Sequence, residues 1–323
     1  VSNARGNGSC SVDKIVTALN DFHDSTGVSK LQRATSSDVE IWIEQLQDRI
    51  QPAPLNNTPM PDYLTENTVV GMVSRFNTVL HHIGRDDLIK TPSEWGFKRS
   101  TDFSNKANPP EAAAAMRNIL KTEANNGNLF SASLLQAVEL MRAFGLRYRE
   151  AVAIKLDHKD PGAAYLEMEK QDQTKCHKYR RIEITTESQR ETLQSAKNFA
   201  KSNAMRSLIP NDMTLNQSQD AAYRKAQAVR DATGLKYHFH GERHAYAHQK
   251  YTALWQERTG YPIACPAALG LGGRKLRGEW QRQAIATTGL SKSRLLEMDK
   301  QIRLKVSEDL GHGRVDVTLT YLG

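Results

Sequence analysis

One tyrosine, two arginines, two histidines and a lysine stand along this sequence in an order that suits transfer of a phosphoryl group to a phenol. Tyr321 follows Leu310-Gly311-His312 and lies nine positions beyond that histidine. Upstream come Gly145-Leu146-Arg147 with Glu150, then Thr174-Lys175, then His240-Gly241-Glu242-Arg243. A phosphodiester under attack gathers negative charge on its non-bridging oxygens, and its leaving oxygen needs a proton. Arginine meets the first demand, because its planar fork donates two parallel hydrogen bonds and keeps its charge. Lys175, on a flexible stem, suits protonation of a leaving 5′ oxygen, and a histidine can donate to phosphate or relay a proton. Tyr321 would be the nucleophile. A phenol with an ordinary pKa of about 10 is weak in that role, and nearby guanidiniums favour the phenolate.

Each of these residues also has a plainer use. Arg147 and Glu150 make an ordinary surface ion pair at that spacing, worth little to stability. His240 and Arg243 share a helix face, which also describes a capped histidine beside a solvated arginine. Lys170 and Lys178 compete with Lys175 on the same hairpin, and all three read equally well as solvated charges that touch phosphate. Tyr321 alone is an aromatic near a chain end. His238-Phe239-His240 has no cysteine or carboxylate placed to complete a zinc site. The reading therefore calls for no metal and no cofactor.

The elements that must hold these residues are mostly helices. Ile15, Val16, Leu19 and Phe22 recur at helical spacing. Thr35-Ser36-Ser37-Asp38 offers caps before a run with Val39, Ile41, Trp42, Leu46 and Ile50. Four prolines between Pro52 and Pro61 break the chain, and Thr65 caps a third helix whose stripe runs from Val69 to Ile83 and stops at Gly84. The polar stretch from Phe97 to Pro110 is the best linker, giving a helical domain over 1–107 and a second domain over 108–323. In the second, a helix is predicted from Pro110 to about Asn125. Ser131 or Ser133 caps the next, which carries Leu134, Val138, Met141 and Phe144 and ends at Gly145. A short helix holds Glu150, Val152 and Ile154. Tyr165 to Lys170 and Arg180 to Ile184 alternate as a hairpin with Gln171 to Tyr179 at its tip. Thr186 and Gln189 form a capping box, and further helices are predicted at Gln219–Thr233, His240–Glu257 and Leu295–Leu310. Tyr261 to Gln283, rich in glycine, proline and basic residues, is expected to be irregular. Asp316 is expected to cap the last short helix.

The sequence has 323 residues, enough for about two domains, and its hydrophobic content of 39% can supply a core. No run approaches the roughly 18 apolar residues of a membrane span. Residues 1–11 are polar, without a signal-peptide core. Three cysteines, Cys10, Cys176 and Cys265, stand far apart, which argues for a reducing compartment. A net charge of +8 points to a polyanionic partner, nucleic acid first.

Taken together, the four boxes and the hairpin lysine resemble the tyrosine recombinases, the phage-type site-specific integrases. The likeness covers roughly Ser131 to Gly323 and rests on Gly145-Leu146-Arg147 with Glu150, Thr174-Lys175, His240 with Arg243, Leu310-Gly311-His312, and Tyr321. It implies a mainly α fold with a small β-hairpin: a helical, SAM-like core-binding domain at 1–107 followed by an α+β catalytic domain at 108–323. It implies that Tyr321 forms a 3′-phosphotyrosine, that Arg147, Arg243, His240 and His312 stabilise the transition state, and that Lys175, favoured by its preceding threonine, is the general acid. It also implies double-stranded DNA as substrate, a homotetrameric synaptic complex built from free monomers, accessory DNA-bending proteins, a bacterial cytoplasmic setting, and integration or excision of a mobile element. A tail beyond Tyr321 that docks on a neighbouring protomer belongs to the same expectation, and the separation of the third and fourth boxes by Trp255 to Gln283 is wider than in many members. The alternatives are a tyrosine-type topoisomerase, which reseals the strand it cuts, and a non-cutting DNA-binding regulator on the same fold.

Overall fold

A computed structural model describes residues 8–50, 64–99, 101–169, 179–273 and 276–323, with side chains from residue 12 onward. The chain divides into two compact units, Val1–Thr101 and Asp102–Gly323.

The first unit is helical. Helices α1 (Gly8–Thr26), α2 (Ser36–Asp48) and α3 (Glu66–His82) enclose Phe22, Trp42 and Phe76, whose ring centroids lie 4.7–5.7 Å apart. Val39, Ile43, Leu46, Val69, Val73 and Leu80 complete this core. Thr35 and Asp38 close a reciprocal capping box at the start of α2, and Thr65 caps α3 through the Thr68 amide. Val16, on the apolar stripe of the sequence, faces solvent; Ala18 and Phe22 are the buried positions of α1.

The second unit is built around α5. Its chain order is α4 (Pro110–Asn125), α5 (Leu129–Phe144), α6 (Tyr148–Ala153), β1 (Tyr165–Met168), β2 (Arg180–Glu183), α7 (Glu187–Ser202), α8 (Leu215–Thr233), α9 (Phe239–Thr259), α10 (Arg277–Thr288), α11 (Lys292–Asp309) and α12 (Val315–Leu322). Helix α5 packs against α4, α6, α7 and α9. Its Leu134, Val138, Met141 and Phe144 are fully buried beside Met116, Leu120, Leu166, Ile182 and Leu193. At roughly 1.5–3 kcal/mol for each large apolar side chain, this cluster is the unit's main store of stability. A second cluster joins α9 to α10, α11 and α12 through Tyr251, Trp255, Trp280, Ile302, Val306 and Leu322. Strands β1 and β2 pair antiparallel, Met168 opposite Arg180 and Tyr165 opposite Glu183.

Three expectations are corrected. The α5 cap is Asn128, whose side chain accepts from the Ser131 amide; Ser131 and Ser133 are buried inside the helix. The stretch expected to be irregular contains α10, because Trp280 and Ala284, one helical turn apart, turn a common face into the second cluster. Asp316 lies in the first turn of α12, and the flanking residue is Arg314, without a side-chain cap.

Candidate active site

Local sequence places each side chain. Gly145 ends α5 with φ +62°, a left-handed turn that L side chains rarely adopt, and Tyr246 packs where a Cβ would stand. The turn sends Leu146 into the core and leaves Arg147 at the cap of α6 with its side chain partly exposed. Glu150 is buried and reaches back: its carboxylate accepts from the Arg147 amide at 2.8 Å and from Arg147 Nη1 at 2.7 Å. Burial raises the Glu150 pKa, but the guanidiniums of Arg180 and Arg147 outweigh it and hold the carboxyl below its ordinary range.

The start of α9 is fixed by Asn108. Its Oδ1 accepts from the His238 amide at 2.9 Å, while its Nδ2 donates to the His238 carbonyl and to Glu242, both at 3.0 Å. Gly241 leaves the space that Asn108 fills. Glu242 is fully buried and also pairs with Arg117 and Arg142, so the first turn of α9 is tied to α4 and α5. From that turn His240 and Arg243 point to the same place.

Arg243 is completely buried. Its Nη1 donates to the Gly145 carbonyl and its Nη2 to the Leu310 carbonyl, both at 2.5 Å, and His312 Nε2 lies 3.3 Å from Nη2. Its Nε donates to the Tyr321 hydroxyl at 3.2 Å. His240 Nε2 lies 3.2 Å from the same hydroxyl. The His244 ring stacks on Tyr321 with centroids 4.5 Å apart and planes 33° from parallel. Five of the six expected residues thus fall into one connected group: Arg243, His240, His312 and Tyr321 touch directly, and Arg147 joins them through Glu150 and Arg180, which shares the Leu310 carbonyl with Arg243. Lys175 lies outside the described residues.

The electrostatics follow from crowding of cations. Burial above all, then Arg147 and Arg180, lowers the Arg243 pKa to about 10, and it remains protonated at neutral pH. His240 keeps an exposed edge. Loss of water around its ring, followed by the charges of Arg243 and Arg147, pushes its pKa down to about 4, so at neutral pH the ring is uncharged. His244, almost fully buried, falls to about 3 for the same leading reason.

Helix α12 is held by its last carbonyls. His248 Nε2 lies 2.8 Å from the Tyr321 carbonyl, the Ala267 amide donates to Leu322, and Arg303 Nη1 donates to Gly323. Arg303 is itself buried and clasped by Asp299. Four residues that the sequence reading did not single out therefore shape the site: Asn108, Arg180, His248 and Arg303. Arg180 alone carried a readable signal, since strand period two puts it on the inward face with Ile182.

The chain has the fold of the tyrosine recombinases. It is similar to the XerH site-specific recombinase bound to palindromic difH substrate in a post-cleavage complex, with a TM-score of 0.56 and 13% identity over 97% of this chain and 76% of that one. It is similar also to the Tn1549 transposon integrase in complex with transposon right-end DNA, with a TM-score of 0.50 and 12% identity over 99% of this chain and 90% of that one. No protein-family model matches the chain, and no curated protein matches it in sequence. Among the described residues no helix is long and apolar enough to cross a membrane.

Proposed function

We propose that the protein is a site-specific DNA recombinase that cleaves and rejoins strands through a 3′-phosphotyrosine formed by Tyr321. The observation that carries this reading is the Tyr321 hydroxyl lying 3.2 Å from both the buried Arg243 and His240 of its own chain, in a recombinase fold. In this reading the phenol oxygen attacks the phosphorus, the new O–P bond replaces the bond to the 5′ oxygen, and the 5′ hydroxyl leaves. His240 accepts the phenol proton. Arg147 and Arg243 neutralise the equatorial oxygens, His312 donates to one of them, and Lys175 protonates the leaving oxygen. The bond energy stays in the phosphotyrosine, so the released 5′ hydroxyl of a partner strand can reverse the step without ATP.

The first unit, taken here as a core-binding domain, would grip double-stranded DNA together with the second. Four protomers would make the exchange complex, and the biological setting would be integration or excision of a mobile element. The similar Tn1549 integrase in complex with transposon right-end DNA, and XerH bound to its palindromic difH substrate, support a DNA substrate.

The test is a nicked suicide duplex, which loses its short 5′ fragment after cleavage and traps the adduct. The wild type should yield a covalent protein–DNA species that maps to Tyr321. Tyr321→Phe should bind the same duplex with unchanged affinity and yield none. An adduct that persists in Tyr321→Phe, or its absence from the wild type on every candidate site, would overturn the proposal.

A further inference from the structure

Arg180 has no part in the cleavage step as proposed, yet it lies between the residues that do. It enters from the inward face of β2 and is 7% exposed. Its Nη2 donates to Glu150 Oε2 at 2.7 Å, and its Nη1 donates to the Leu310 carbonyl at 3.0 Å. Both acceptors are shared. Glu150 also holds Arg147, and the Leu310 carbonyl also holds Arg243. Gly311, with φ +73°, lies so close that a Cβ would come 2.9 Å from Arg180 Cδ. An alternating chain of donors and acceptors results: Arg147, Glu150, Arg180, the Leu310 carbonyl, Arg243, Tyr321.

We infer that Arg180 is a positioning residue, a bidentate strut that sets the spacing between the Arg147 and Arg243 guanidiniums and fixes the Leu310–His312 turn. The inference rests on the proposed cleavage reading. Physically, a fork is needed because the two acceptors belong to different elements, α6 and the end of α11, and one guanidinium spans them with fixed geometry. An ammonium at the end of a lysine stem offers one point charge that satisfies Glu150 but cannot set the distance to the carbonyl. Neutralising Glu150 alone would require no second contact. The contact to Leu310 is what distinguishes a strut from a counter-charge. Because Arg180 begins the strand that leaves the hairpin, the strut also ties β2 to both arginines.

The test compares rates of adduct formation on the suicide duplex at saturating protein, alongside DNA affinity and thermal unfolding. Arg180→Lys preserves the charge beside Glu150 and is expected to fold with nearly unchanged stability and affinity while cleaving about 10²-fold more slowly, the scale of a misplacement near 1 Å. Arg180→Met should be at least as slow and less stable. Arg180→Met combined with Glu150→Gln removes the stranded carboxylate and should regain stability without regaining rate. Wild-type rates in Arg180→Lys, or a rate restored by the double change, would show that Arg180 only balances charge and would overturn the inference. A wild type without any adduct overturns the cleavage reading itself, an outcome distinct from an active wild type with an equally active Arg180→Lys.

Discussion

His244 shows how a single ring pressed against Tyr321 couples the site to stability. Its ordinary pKa of 6.5 drops to about 3 on folding, chiefly through burial and then through His240, His248, Lys106 and Arg243. Above pH 6.5 the ring is neutral in both states and stability does not depend on it. As pH falls from 6.5 toward 3 the unfolded chain takes a proton that the folded chain refuses, so stability is lost. The slope is about 1.4 kcal/mol per pH unit for one such group. Denaturant unfolding between pH 6.5 and 4 should therefore steepen in the wild type and lose about one proton of slope in His244→Gln; equal slopes would exclude this account. The residues named from sequence were legible because order and spacing survive without coordinates: Arg147, His240, Arg243, His312 and Tyr321 each stand in a short box. Asn108, His248 and Arg303 were not, since each acts on a backbone group more than 15 positions away, and no local pattern records that. Tyr321 touches His240 across 81 positions, yet only its spacing from His312 pointed to it.

At the scale of elements, caps and breaks decided what could be read. Gly145, Gly234 and Gly311 all stop helices in left-handed turns, as the sequence suggested. Thr35, Thr186 and Thr65 cap where expected, whereas Asn128 takes the place of the serines because its side chain sits three residues ahead of the Ser131 amide it accepts from. Helix α10 was hidden by the glycines and basic residues ahead of it; its own Trp280 and Ala284 needed the partner α11 before their shared face had meaning. Gly145 makes the sharpest prediction at this scale. Gly145→Ala forces a side chain into a positive-φ turn and against Tyr246, and should cost about 2 kcal/mol or more. Its carbonyl holds Arg243, so adduct formation should fall along with the melting temperature. A variant as stable and as active as wild type would remove Gly145 from the list of constraints on the site.

For the whole molecule, charge is the deciding property. If the chain binds a duplex as proposed, its net charge of +8 implies that several phosphates are neutralised and their counterions released. Affinity for DNA should drop by about 10³-fold or more between 50 and 200 mM salt if six or more phosphates are contacted. A flat dependence, measured by fluorescence anisotropy, would contradict a clamp. The division of the chain near Thr101 was readable only as a polar stretch, because composition marks a junction without fixing its residue.

If Tyr321 is the nucleophile, as proposed, the three hydrogen bonds onto the end of α12 should keep it in its own subunit during cleavage. Two crippled proteins, one bearing Tyr321→Phe and the other Arg243→Ala, should stay inert when mixed, because neither can lend its missing part. A mixture that regains cutting would mean that the last helix changes hands between neighbours.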